Sequence, residues 1–162
     1  MSFLDQYLDE LLDTPIPLKS IHSFVDSPTT SEAGKNDPLA EIFSQLLPDA
    51  QEVLANRNQN IRDIAGWFRT QFGEVFTIRQ IDWGLLRKRY GDRSVIGICY
   101  EVTQAIASIF VEKLSRNDPA ALNLISHEAN EDQKELPPDL QSENPDLGLY
   151  VSSFISKRIY PL

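Results

Sequence analysis

Apolar residues recur at helical spacing along most of the chain, and one segment is apolar over nearly its whole circumference. In "SVIGICYEVTQAIASIFVEKL", residues 94–114, almost every turn carries Val, Ile, Ala or Phe, and polar residues trace only a narrow strip. This breadth predicts a central buried helix. Its expected core residues are Ile98, Val102, Ile106, Ile109 and Phe110.

Other helices are predicted where amphipathic periodicity coincides with residues that begin or end helices. The segment 147–160 is predicted as a helix, or as a helix with a strand-like start. The remaining helices are expected to begin at Ser2, Asp37 with Pro38, Pro48 with Asp49, Thr77, and Asp118 with Pro119. The helix from Ser2 is expected to end before Pro15, the helix from Pro48 near Phe72, and the helix from Thr77 at Gly91.

Two segments lack this periodicity and are predicted to be connectors. Residues 13–37 carry prolines with Ser, Thr and Gly, and a short element is expected around 21–25, whereas residues 127–146 are acidic and proline-marked. A chain of 162 residues can bury one sizeable core. We therefore predict one helical domain over 1–162, an all-α compact bundle of about five to seven helices around one buried central helix.

The composition predicts a soluble, cytoplasmic protein. The start of the chain lacks a basic region followed by a continuous apolar run, and no segment reaches the roughly 18 uninterrupted apolar residues typical of a membrane span. Cys99 is the single cysteine, so an internal disulfide is excluded and a reducing compartment is expected.

No pattern of residues indicates catalysis. His22 and His127 have no ligand or acid-base partner at a spacing such as HExxH, and Cys99 lies in the apolar segment, where a buried thiol is expected. The seven glycines occur singly and form no phosphate-binding loop. We expect no enzymatic activity, no metal site and no cofactor.

Positive charge is concentrated in one part of an acidic chain. The formal net charge is -9, yet residues 57–93 contain eight Arg and Lys against four Asp and Glu. Such an asymmetry indicates what the chain can bind, because a locally positive surface attracts anions that the rest of the chain repels. Solvated helix faces are the alternative explanation.

On a helical wheel, basic and aromatic residues of the segment 77–90 fall on one outward face, opposite Ile78, Ile81 and Leu85. Guanidinium groups pair with phosphates and aromatic rings stack on unpaired bases, so this face predicts a nucleic-acid contact. In the alternative, Trp83 packs against a neighbouring helix and the arginines reach solvent. The predicted contact residues are Arg79, Trp83, Arg87, Lys88, Tyr90 and Arg93.

Three functional hypotheses remain open. In the first, the chain is a non-catalytic subunit that packs against other protein subunits, copies of itself among the candidates, and contacts single-stranded DNA or RNA inside the complex. In the second, "RDIAGWFRTQF", "GEVF" and "TIRQIDWGLLRKRY" form a helix-turn-helix that binds DNA through Arg79, Gln80, Trp83 and Arg87. In the third, a purely protein-binding adaptor uses the acidic N-terminal helix and residues 13–37.

Two segments, "IRDIAGWFRTQFGEVF" and "ASIFVEKLSRNDPAALN", resemble the small helical subunits of class 1 CRISPR interference complexes, with the type I-D large-subunit helical part as the nearest type. The resemblance covers about a third of the chain. It implies a non-catalytic subunit of an antiviral complex that packs along the assembly and steadies nucleic-acid strands. The strongly negative net charge differs from that of a strand-binding subunit.

Overall fold

A computed structural model describes residues 2–25, 48–140 and 146–160. This part of the chain is almost entirely helical, which confirms the predicted all-α class. Two two-residue strands, β1 (Ile16–Pro17) and β2 (Val75–Phe76), form one small sheet. Four short 3₁₀ helices span Phe3–Tyr7, Leu18–Ser20, Ile78–Gln80 and Pro138–Leu140. The described α-helices are α1 (Leu8–Leu12), α2 (His22–Val25), α3 (Pro48–Phe72), α4 (Trp83–Tyr90), α5 (Asp92–Asn117), α6 (Pro119–Gln133) and α7 (Leu147–Ile159).

Local residue chemistry sets many of the helix ends. The side chains of Ser2, Asp118 and Asp146 each accept a hydrogen bond from a backbone N–H in the first turn of the helix that follows. Gly73 and Gly91 end α3 and α4 with φ angles of 79° and 83°, which side chains with a Cβ rarely adopt. The predicted beginnings at Ser2, Pro48 and Asp118 and the ends at Phe72 and Gly91 are therefore confirmed.

The chain forms two compact units. Unit 1 takes its described residues from Met1–Ile16, Thr77–Asp82 and Cys99–Leu162, and unit 2 takes them from Pro17–Phe76 and Trp83–Ile98. Helix α5 continues without a break from the last residues of unit 2 into unit 1. Assignment of the whole chain to one domain stays a prediction.

The core of unit 1 forms around α5. Val102, Ile106 and Phe110 are buried, as predicted, but Ile109 is 37% exposed, so its placement in the core was wrong. Val102, Ile106 and Phe110 form a buried strip along α5, and Ile109 lies at the edge of this strip, next to the solvent-exposed side of the helix. Ile98, in unit 2, is buried as predicted.

The core of unit 2 forms around Phe68 on α3. Its ring centroid lies 5.0 Å from that of Phe24 on α2 and 5.2 Å from that of Phe76 on β2, and Trp67 and Phe72 on α3 itself contact it edge-on at 5.4 Å. Phe68 is completely buried. These five side chains, called here the aromatic cluster, hold the short elements of unit 2 against α3.

In the described residues, parts of both predicted connectors form helices. The short element expected at 21–25 is confirmed as α2, whereas the helix expected after Asp37 and Pro38 lies outside the described residues. The prediction that a connector begins at residue 127 was wrong, because α6 continues to Gln133. Ile125 and Ala129 are buried one turn apart, so this acidic segment keeps an apolar face that stabilises the helix.

Helix α5 is also the one helix in the described ranges that is long and apolar enough to cross a membrane. Half of its most apolar 18-residue stretch is buried inside the protein. A core helix of this length has the same composition; Gln104, Ser108 and Glu112 lie on the exposed side of α5, whereas Ser94 and Thr103 are buried.

Candidate nucleic-acid interface

The predicted helix over 77–90 is broken in two. Residues Ile78–Gln80 form a 3₁₀ helix, Ile81 is extended with φ -85° and ψ 124°, and α4 begins at Trp83. Thr77 is a cap as predicted, but of the short 3₁₀ helix, and its backbone N–H donates to Oε1 of Gln80 at 2.8 Å. The prediction of one continuous helix over 77–90 was therefore wrong. The recognition helix that the helix-turn-helix hypothesis places over this segment is interrupted at Ile81.

The break changes which side chains face outward. Trp83 is 9% exposed and therefore belongs to the core, whereas Leu85, predicted on the apolar face, is 40% exposed. A wheel drawn at one constant angle per residue fails here, because the extended Ile81 shifts the phase between the two helical pieces. Trp83 packs inside the protein, as the alternative reading of this face expected.

Arg79 lies in unit 1 and is engaged by carboxylates. Its Nε lies 2.7 Å from Oδ1 of Asp13, and its Nη2 lies 2.8 Å from Oδ1 of Asp9. Hydrogen bonds to Asp13 and Asp9 hold the pKa of the Arg79 guanidinium above its ordinary value. The other five predicted contact residues belong to unit 2, so Arg79 does not share their unit.

The adaptor hypothesis assigned the acidic N-terminal helix to partner contacts. Its acidic side chains, like those that bind Arg79, form ion pairs with basic residues of unit 1. Arg158 donates to Asp5 at 3.0 Å, and Lys113 pairs with Glu10. Glu128 accepts a hydrogen bond from the Phe3 backbone N–H at 3.0 Å. These contacts hold the N-terminal segment within unit 1 and neutralise part of its acidic face.

Three exposed basic side chains of unit 2 lie close together in sequence, where α4 ends and α5 begins. Lys88 and Arg89 are exposed at the end of α4, and Arg93 is exposed in the first turn of α5. These three are called here the basic patch. Arg87 lies beside them but is half-buried, and its Nε donates to Oδ1 of Asp92 at 2.7 Å.

Helix α3 supplies two further groups near this patch. The Asn60 side chain donates to the Tyr90 carbonyl at 3.4 Å and to the Ser94 hydroxyl at 3.3 Å, which places α3 against the junction of α4 and α5. The Arg57 guanidinium lies 3.7 Å from the position that a Cβ would occupy at Gly97, one turn after Arg93.

The contact residues predicted from the sequence did not include Arg89, a member of the basic patch, or Arg57, which lies beside Gly97. Arg89 lies in the same basic run as Lys88, and its exposure follows from the burial of Trp83 and Leu86 on the other side of α4. The approach of Arg57 depends on packing between distant segments, and no local signal indicates it. Tyr90, which was predicted, is half-buried.

The charges divide between the two units. The described residues of unit 2 include eight Arg and Lys against five Asp and Glu, whereas those of unit 1 include six against fourteen. Over its whole length unit 2 contains nine Arg and Lys and nine Asp and Glu and is neutral, whereas unit 1 contains six against fifteen and is strongly negative. Exposed ammonium and guanidinium groups of this kind bind phosphate oxygens with little cost of desolvation.

The described residues form neither a reactive thiolate nor a group of metal ligands. Burial raises the pKa of the Cys99 thiol to about 12, so the reactive thiolate is disfavoured. In the ranges that the structure describes, no three His, Cys, Asp or Glu side chains form a group that could hold a metal ion. The His127 side chain is 76% exposed and lies 3.9 Å from Glu131 on the surface of α6.

Compared with known protein families, with curated proteins and with solved structures, the chain shows no significant match. Its function is therefore inferred from the charges, burial and contacts of its own residues.

Proposed function

We propose that the protein is a non-catalytic helical subunit of a larger nucleoprotein assembly, in which the basic patch contacts a nucleic-acid strand. The observation that carries this proposal is the exposure of Lys88, Arg89 and Arg93 close together in sequence, on the neutral unit of a chain whose other unit is strongly acidic. The sequence resemblance to small subunits of class 1 CRISPR complexes supports an antiviral assembly of that kind.

The proposed contact set differs from the one based on sequence. Lys88, Arg89 and Arg93 bind phosphates, and Arg57 of α3 lies beside Gly97, one helical turn after Arg93. The half-buried Tyr90 supplies an aromatic ring for an unpaired base. Arg79 instead holds the N-terminal segment of unit 1 through Asp9 and Asp13. The contact set based on sequence therefore includes Arg79 as a nucleic-acid contact, whereas the set proposed here does not.

The net charge of -9 explains why other subunits are part of the proposal. Phosphates attracted by the basic patch are repelled by the acidic unit 1, so the isolated protein binds strands weakly. In an assembly, cations of other subunits offset this repulsion, and the basic patch adds its contacts to theirs.

The first test measures strand binding by fluorescence anisotropy of a labelled single strand of about 20 nucleotides between about 50 and 200 mM salt. Replacing Lys88, Arg89 and Arg93 together by alanine should weaken binding and reduce the salt slope by about three, one for each phosphate contact. Arg79→Ala is the control for charge and should leave the slope unchanged. Equal losses in both variants would show that net charge, and not the basic patch, governs binding.

The second test is to purify the complex from its native source and identify what accompanies the chain. We expect protein partners together with RNA or DNA. A protein partner without nucleic acid would support the adaptor hypothesis and make the basic patch a solvated surface. Duplex DNA bound by the protein alone would support a DNA-binding regulator instead.

A further inference from the structure

Unit 2 contains a partly open groove of about 790 Å³ at the C-terminal end of α3. Gly73 turns the chain back after α3, and the next residues run beside Pro17 and Leu18, where the Leu18 N–H donates to the Glu74 carbonyl at 2.8 Å. At the opposite wall, Arg69 donates to the Phe24 carbonyl at 3.1 Å. Because hydrogen bonds tie both walls, the groove is formed before any ligand enters.

The groove has an apolar floor and charged edges. Leu18 and Phe24 are buried and Val75 is 51% exposed, whereas Lys19, Arg69 and Glu74 line it with charged groups. The guanidinium of Arg69 has five N–H donors, so its bond to the Phe24 carbonyl leaves donors for a second acceptor. Two cations against one carboxylate leave the edge with one excess positive charge.

We propose that this groove binds a small organic monoanion with an apolar body, such as a medium-chain carboxylate. The apolar body lies on Leu18 and Phe24, and the carboxylate lies beside Lys19 and Arg69. The volume is in the range of small-molecule sites. Glu74 disfavours a dianion, which separates this ligand class from phosphates.

This site is separate from the basic patch and does not depend on the proposed nucleic-acid contact. The groove residues lie on the segments 17–24 and 69–75, whereas the basic patch lies on α4 and the start of α5. Failure of one proposal therefore leaves the other unchanged.

The test uses the full chain and the fluorescent apolar anion 8-anilinonaphthalene-1-sulfonate as the probe. We expect saturable binding that octanoate reverses and that 1-octanol, which has the same chain length without the charge, reverses far less well. Equal displacement by the alcohol would overturn the role of the cations. Displacement by a short acidic peptide but not by octanoate would assign the groove to a protein segment and also overturn the proposal.

Two substitutions at exposed positions locate the binding. Lys19→Glu and Val75→Asp each place a negative charge beside the bound anion and should weaken probe binding on the order of tenfold. Lys134→Glu makes the same charge change in unit 1 and should leave it within about twofold. Near-ultraviolet circular dichroism checks that each variant is folded. Unchanged binding in the two groove variants, or an equal loss in the control, would place the probe elsewhere and refute the proposal.

Discussion

Replacing Phe68 by alanine should remove the centre of the aromatic cluster in unit 2. The side chain is completely buried, and its ring lies 5.0 to 5.4 Å from four other aromatic rings. All four contacts are edge-on, the favourable arrangement for aromatic pairs. No smaller side chain at this position can reach all four rings.

The expected cost follows from these contacts. Truncating a buried phenylalanine to alanine costs about 3 to 5 kcal/mol of unfolding free energy through lost burial and the cavity left behind. Each edge-on pair adds about 0.5 to 1.5 kcal/mol beyond burial, so we place Phe68→Ala near the upper end, about 4 to 5 kcal/mol. Phe68→Leu keeps most of the volume and should cost about half as much.

Urea unfolding followed by tryptophan emission measures this cost, because both tryptophans, Trp67 and Trp83, lie in unit 2. Phe72→Ala is the matched control. Phe72 is only half-buried, so its loss should cost clearly less than that of Phe68. A cost for Phe68→Ala below about 1.5 kcal/mol, or equal to that of Phe72→Ala, would refute a central role for Phe68.

Two further predictions concern α5. Ile106→Ala should cost about 2 to 5 kcal/mol in urea unfolding followed by far-ultraviolet circular dichroism, which reports on the helices of unit 1, whereas Ile109→Ala should cost less than about 1 kcal/mol because its side chain is partly exposed; similar costs would mean that the burial of these two positions is misassigned. Stability should also fall as pH rises from 9 toward about 12, because the unfolded Cys99 thiol ionises near its ordinary pKa of 9.0 while burial holds the folded one at about 12. Cys99→Ala should reduce this loss, and an unchanged pH dependence of the unfolding free energy would contradict it.

Helices with strong local signals could be predicted from the sequence almost to the residue. Helix α3 begins at Pro48 and ends at Phe72, as its proline start and the following Gly73 indicated. The break before α4 was missed, although Asp82 precedes it and aspartate favours helix starts. The continuous periodicity of 77–90 concealed the break, which depends on burying both Ile81 and Trp83.

Members of the candidate interface could be predicted from the sequence only where the position of a residue on its own helix determines whether its side chain is exposed. Lys88 and Arg93 are exposed on the surface, as predicted. Arg79 was placed with them by a helical wheel over 77–90, but two aspartates more than sixty residues earlier bind it in unit 1. Such long-range pairing leaves no periodic trace, and neither does the approach of Arg57 to Gly97.

The net negative charge of the chain comes from unit 1, since unit 2 is neutral over its whole length. Folding assigns Arg79 and Asp82 of the segment 57–93 to unit 1 and adds Lys19 to unit 2, so packing and not sequence order sets which charges surround the basic patch. A basic patch of three exposed side chains can hold a strand only weakly against the repulsion of an acidic unit. It can still contribute strongly once neighbouring subunits have brought the strand within a Debye length, about 8 Å at physiological salt. On the proposed function, such a chain would discriminate against free nucleic acid and favour a strand that is already bound in the assembly.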